Sequence, residues 1–155
     1  ALAELERRGK IRSVITKDVH GIPQKAGCNR VLEYHGNIYH NECPKCKRQY
    51  SIDYVKQADK VPRCEQCNSV VRPKIVLPGE MVPNHVMTEV VNAISQADVV
   101  LLLGVTDPFY EIEKMIQYYN GDKLVYIRET IMEPDDRVNI FINDKVCNVL
   151  PEAII

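Results

Sequence analysis

The sequence predicts an α/β fold in which a parallel sheet is interrupted by a small cysteine-rich module. Three observations predict it. Val99-Val100-Leu101-Leu102-Leu103 is a continuous apolar run, the pattern of a parallel strand buried on both faces. Apolar positions at helical spacing stand on either side of that run, and further short apolar runs follow it. Two C-x2-C pairs separate the early part of the chain from this later half.

Each element follows from local pattern. Leu2 and Leu5 precede Gly9, which suits a short helix ended by glycine. Ile11, Val14 and Ile15 read as a strand leading into Thr16. Residues 31–71 hold short apolar runs among turn-formers, too little for a large core. They are expected to form a separate module inserted into a main domain of residues 1–30 and 72–155. Pro83-Asn84 opens a helical pattern with Val86, Val90, Ala93, Ile94 and Ala97 on one face. Gly104 ends the apolar run, and Asp107-Pro108 supplies an N-cap and a first-turn proline. The helix that follows carries Ile112, Met115, Ile116 and Tyr119 and closes at Asn120-Gly121. Residues 124–127 form the next strand and residues 138–142 another. Strand, crossover helix and strand at this spacing make a right-handed βαβ unit.

Composition narrows the function classes. The chain has 155 residues, 45% hydrophobic and 26% charged, with 20 Lys+Arg against 21 Asp+Glu. Such a balance suits a globular domain and offers no broad electrostatic grip on nucleic acid. Residues 99–103 are far too short a run to cross a bilayer, and no basic start followed by an apolar core marks a secretory signal. Neither nucleic acid nor membrane is expected as a partner, and a cytoplasmic location is expected. The chain begins at Ala1 rather than Met, which reads as a trimmed or processed start.

Four of the six cysteines form Cys43-Pro44-Lys45-Cys46 and Cys64-Glu65-Gln66-Cys67, with 17 residues between the pairs. This is the spacing of a zinc ribbon. A two-residue gap turns both thiolates of a pair toward one ion, and two such knuckles complete a closed tetrahedral site. Cys43, Cys46, Cys64 and Cys67 are therefore read as ligands of one structural Zn2+. Two disulfides would require an oxidising compartment. A redox pair would need one C-x-x-C opening a helix after a strand, whereas both pairs here lie among charges and turn-formers. Cys28 and Cys147 stand alone and are expected to be small buried or half-buried residues.

In open parallel sheets ligands bind beyond the carboxyl ends of the strands. Thr16, Gly104 to Thr106, and Arg128 fall there, and a nucleotide phosphate can sit near Gly104 at the following helix start.

Several motifs then coincide, and from Gly9 to Leu150 the sequence resembles the sirtuins, the NAD-dependent protein deacylases. The run from Thr16-Lys17-Asp18-Val19-His20 to Ala26-Gly27 aligns with that family's T-Q-N-I/V-D-x-L-H-x-x-A-G. Glu33-Tyr34-His35-Gly36 resembles E-L-H-G, and the paired cysteines follow directly. The run from Arg72-Pro73 to Gly79-Glu80 resembles R-P-x-V/I-V-x-F-G-E, and Gly104-Val105-Thr106 stands in place of G-T-S. Asp135-Asp136-Arg137 and Leu150-Pro151 resemble the family's C-terminal strand and tail.

The resemblance implies a Rossmann-like NAD-binding domain with an inserted zinc ribbon, and transfer of an acyl group from lysine to ADP-ribose with release of nicotinamide. ADP-ribosyl transfer is the related activity. His35 would be the general base acting on a ribose hydroxyl, a role that suits an imidazole because it titrates near neutrality. Thr16, Asp18, Gly104, Thr106 and Arg128 would line NAD+. Val76, Leu77, Gly79 and Glu80 would receive an acylated lysine peptide as an added strand. His40 and His85 match no functional position and are expected at the surface.

The sequence departs from the family at chemical positions. Asp18 replaces the family's Asn, His20 its nicotinamide-binding Asp, and Ile22-Pro23 its Leu-His. Pro78 replaces the phenylalanine of F-G-E, Val105 a threonine, and Arg128 the asparagine after the next strand. The family's upstream G-A-G-x-S loop has no counterpart here, so an upstream segment or self-association is expected to cover an otherwise open sheet edge. These departures carry the alternative, a catalytically impaired relative serving as a nucleotide- or protein-binding module. A third reading is an unrelated zinc-ribbon α/β protein.

Overall fold

The computed structural model describes residues 1–105, 114–130 and 136–154. Helix α1 (Leu2–Arg7) runs to Arg8 and then to Gly9 at φ +69°. Strand β1 (Val14–Thr16) leads to the short helix α2 (Ile22–Lys25). Strands β2 (Val31–Glu33), β3 (Gly36–Glu42) and β4 (Gln49–Tyr50) precede α3 (Ile52–Lys56). Strand β5 (Arg72–Ile75) and helix α4 (Asn84–Ser95) come next. Strands β6 (Val100–Leu103), β7 (Leu124–Ile127) and β8 (Ile140–Ile142), with helix α5 (Val146–Glu152), complete the described elements.

The described strands form three small sheets. β1 and β2 pair in parallel, with Thr16 opposite Glu33. β4, β3 and β5 make an antiparallel sheet in that order, and β6, β7 and β8 a parallel one. Strand pairing crosses both ends of segment 31–71, since β2 joins β1 and β5 joins β3. The fold is mixed α/β with parallel sheets and a cysteine module, as the patterns predict.

Burial differs from the pattern at one strand. Residues 99–103 are continuously apolar, yet β6 is only half-buried along its length and Val99 is 45% exposed. The reason is position: β6 lies at the edge of its three-stranded sheet, whereas central β7 buries Leu124, Tyr126 and Ile127. Val90 and Ile94 are the buried pair of α4, and Ala97 lies past its end. Ile116 packs on Leu124, and Tyr119 covers the same cluster. The predicted cap at Asp107-Pro108, Thr106 and Ile112 lie outside the described residues. Cys28 is buried, but Cys147 is exposed, because the first turn of α5 faces outward there. His40 and His85 are exposed, as expected.

The starts of the two parallel sheets are tied together. Arg12 approaches Asp98 at 3.8 Å and donates to the Gln96 carbonyl at 3.4 Å. No helix among the described residues is long and apolar enough to cross a membrane.

Candidate functional site

The carboxyl ends of β1 and β2 bring together the first set of candidate residues. The Tyr34 amide donates to the Thr16 carbonyl at 2.9 Å, extending the parallel ladder one step beyond the strands. Thr16 Oγ1 accepts the Asp18 amide at 3.0 Å. Asp18 then closes a local turn. Its Oδ1 accepts the His20 amide at 3.1 Å and lies 3.1 Å from His20 Nδ1, while its Oδ2 accepts the Ile22 amide at 2.8 Å. Burial opposes ionisation of Asp18, but the Ile22 and His20 donors outweigh it and hold the carboxyl below its usual range. Asp18 thus anchors the first turn of α2, and both its oxygens are used. That double acceptor role explains in part why a carboxylate is accommodated here.

His35 lies in the turn between β2 and β3, half-buried, with its ring centroid 5.1 Å from that of Tyr34. Its carbonyl accepts the Val76 amide at 2.9 Å. The following residue must be glycine. Gly36 sits at φ +75°, opposite Ile75, and a Cβ there would lie 1.9 Å from the Lys74 carbonyl oxygen. The backbone of β3 therefore passes against β5 at a distance only glycine permits. That contact places the His35 turn beside the segment after β5.

In that segment the motif residues bond to one another. Arg72 grips Glu80 bidentately, Nη1 to Oε1 at 2.7 Å and Nη2 to Oε2 at 3.0 Å. Glu80 Oε2 also accepts the Leu77 amide at 3.0 Å, and the Glu80 amide donates to the Leu77 carbonyl at 2.9 Å. Gly79, at φ +87°, makes this turn. The Arg72 guanidinium, helped by the Leu77 amide, pulls the Glu80 carboxyl down to about 2. Val76, Leu77, Gly79 and Glu80 are the residues expected to receive a peptide. The amides of Val76, Leu77 and Glu80 are hydrogen-bonded within the molecule, and the Leu77 side chain is 46% exposed.

Gly104 and Arg128 stand just beyond the carboxyl ends of β6 and β7. Gly104 adopts φ +60°, and its amide donates to the Ile127 carbonyl at 3.0 Å. Arg128 is buried. Its Nη1 donates to the Tyr126 hydroxyl at 3.3 Å, and that hydroxyl donates to the Val105 carbonyl at 3.0 Å. Tyr126 therefore connects the ends of β6 and β7, a role the sequence signalled only as one aromatic in an apolar strand. Thr106 lies outside the described residues.

The four paired cysteines converge. Their Sγ atoms all lie within 4.8 Å of one another, a spacing that fits one tetrahedral zinc with sulfurs at about 2.3 Å. None is in a disulfide. The two knuckles share one construction. Lys47 donates to the Cys43 carbonyl and Asn68 to the Cys64 carbonyl, each at 2.8 Å. Lys47 and Asn68 take φ +63° and +57°, which folds each turn back on itself. Arg48 and Ser69 carbonyls accept the Cys43 and Cys64 amides at 2.9 and 2.7 Å. The Tyr50 hydroxyl, then burial in the opposite sense, then the Cys67 and Gln66 amides act on the Cys64 thiol, which is drawn down to about 6. The thiolate is the form a metal binds.

Comparisons with known proteins identify related chains. A model of the Sir2 family matches residues 1–108. The NAD-dependent protein deacetylase of Clostridium acetobutylicum is 32% identical, over 99% of this chain and 63% of its own length. The NAD-dependent protein deacylase of Pyrococcus furiosus is 33% identical, over 99% of this chain and 64% of its own. A solved structure of Sir2 with a p53 peptide and NAD+ matches with a TM-score of 0.82 at 32% identity, covering 98% of this chain and 67% of that one. The chain thus spans less than two thirds of the length of these two relatives.

Proposed function

Because this chain belongs to the Sir2 family, we propose that it contributes the catalytic histidine and the zinc module of an NAD-dependent protein-lysine deacylase acting in the cytoplasm. The observation that carries the reading is the meeting of Thr16, Asp18 and His35 at one carboxyl edge, with the Val76 amide holding the His35 turn at 2.9 Å. Parallel strand ends of this kind are where a dinucleotide binds. The donor set also fits: a threonine hydroxyl, a left-handed glycine and a buried arginine stand at the ends of β1, β6 and β7.

NAD+ when bound supplies a ribose carbon from which nicotinamide departs. Thr16 and Gly104, with Thr106 and Arg128, orient the dinucleotide. His35 accepts a ribose hydroxyl proton at a ring nitrogen, and imidazole has the basicity for this near neutral pH. The fixed His35 backbone keeps that ring in place while an acyl-lysine peptide lies along Val76 to Glu80. Cys43, Cys46, Cys64 and Cys67 hold one Zn2+, closed to substrate, which stiffens the antiparallel sheet that carries β3 and β5.

The test is mass-spectrometric detection of deacylated peptide and of O-acyl-ADP-ribose, with NAD+ and an acyl-lysine peptide. Turnover lost in His35→Ala supports the reading. Equal turnover with and without His35 sinks it.

A further inference from the structure

We infer that Tyr50 is a positioning residue of the metal centre, donating its hydroxyl to the Cys64 sulfur and locking the second knuckle onto the first. This rests on the reading of the four cysteines as a zinc site.

Tyr50 is buried at the end of β4, directly after the first knuckle. Its hydroxyl reaches across to the second. The O–H donates to Cys64 Sγ at 3.1 Å, and the same oxygen accepts the Glu65 amide at 3.0 Å. Both bonds are made to the knuckle that β4 does not belong to. The ring itself is held from two sides. Tyr54 packs on it at 4.5 Å between centroids, and the Arg48 guanidinium lies 5.8 Å from its centre. Arg48 also pairs with Glu65 at 2.9 Å, so the cation clamps the same junction from outside. Tyr50, Cys43, Cys64 and Val71 form one buried cluster.

Two consequences follow from the chemistry. Four thiolates around a divalent ion leave two surplus negative charges, and each donor to sulfur offsets part of that charge. Outer donors of this kind also orient ligands, and their loss typically lowers metal affinity about 10–100-fold. Tyr50 is a side chain that does this from the opposite knuckle, so it couples the two halves of the site as well as polarising one sulfur.

The test compares wild type, Tyr50→Phe and Tyr54→Phe. Phenylalanine keeps the ring and its packing and removes only the hydroxyl. Tyr54 is the control, because its hydroxyl donates to the Arg63 carbonyl at 2.5 Å and not to sulfur. Zinc affinity is measured by competition with a chromogenic chelator, and the sulfur-to-metal charge-transfer band is recorded after cobalt substitution. Tyr50→Phe is expected to weaken zinc binding at least tenfold and to shift the cobalt band. Tyr54→Phe is expected to leave the band in place. Cadmium-loaded wild type provides a readout that needs no variant, a proton–cadmium coupling from the Tyr50 hydroxyl. A loaded wild type lacking that coupling, or a Tyr50→Phe protein matching wild type within twofold with its band unmoved, overturns the inference alone. A wild type that binds no metal overturns both the inference and the zinc reading.

Discussion

The Val76 amide donates to the His35 carbonyl at 2.9 Å, joining the turn that carries the candidate base to the segment proposed to carry the substrate. The two residues are 41 positions apart in sequence. Their contact depends on the close passage of Gly36 against the Lys74 backbone one step away.

That passage makes Gly36 the most sensitive position near the site. In Gly36→Ala the new methyl meets the Lys74 carbonyl, and the residue must hold φ +75°. The expected loss is roughly 2–5 kcal/mol, combining left-handed strain with overpacking. Gly79→Ala faces only strain, since nothing lies within 4 Å of its added carbon, and should lose about 1 kcal/mol. Urea unfolding midpoints measure both. Equal losses would show that the β3–β5 contact yields easily.

Acid stability should report the Arg72–Glu80 pair. The folded Glu80 carboxyl titrates at about 2, below its unpaired value of 4.5. A depressed folded pKa contributes stability that is complete above pH 4.5 and is lost as pH falls toward 2. Glu80→Gln should therefore flatten the stability–pH slope between those limits and lower the neutral-pH midpoint toward the wild type's acid value. Thermal midpoints between pH 2 and 7 test this, and an unaltered slope would place the acid dependence elsewhere.

Removing metal should unfold the ribbon before the parallel sheets. Its buried cluster consists largely of the cysteines themselves with Tyr50 and Val71, so ligand bonds supply much of its stability. Cys43→Ser, or a chelator, is expected to expose the amides of β3, β4 and β5 to hydrogen exchange while β7 stays protected. One cooperative loss across all three sheets would contradict it.

Asp18 sets a conflict between structure and turnover. The family's asparagine can donate from its amide, whereas the carboxylate of Asp18 accepts from both His20 and Ile22. Asp18→Asn alone should cost about 1 kcal/mol through loss of one acceptor. Combined with His20→Asp and Pro23→His, it should raise deacylation, since one transition-state contact is typically worth about 10²–10³ in rate. The peptide assay with NAD+ decides this, and a wild type faster than the triple variant would assign this loop a different chemistry.

Much of this protein was determined by sequence alone. Apolar period placed β1, α4, β6, β7 and β8 within a few residues, because hydrophobic spacing and turn residues are local properties. Cysteine spacing identified the metal knuckles for the same reason, and the ordered motifs from Thr16 to Gly104 pointed to the family. Tertiary structure alone decided which groups pair. It paired Glu80 with Arg72. It buried Arg128 against Tyr126, and it left β6 half-exposed at a sheet edge despite its apolar run. It carried the Tyr50 hydroxyl from one knuckle to the sulfur of the other. These are contacts between residues distant in sequence, and no local pattern encodes them. They arise when separate elements must bury their surfaces and satisfy their hydrogen bonds together.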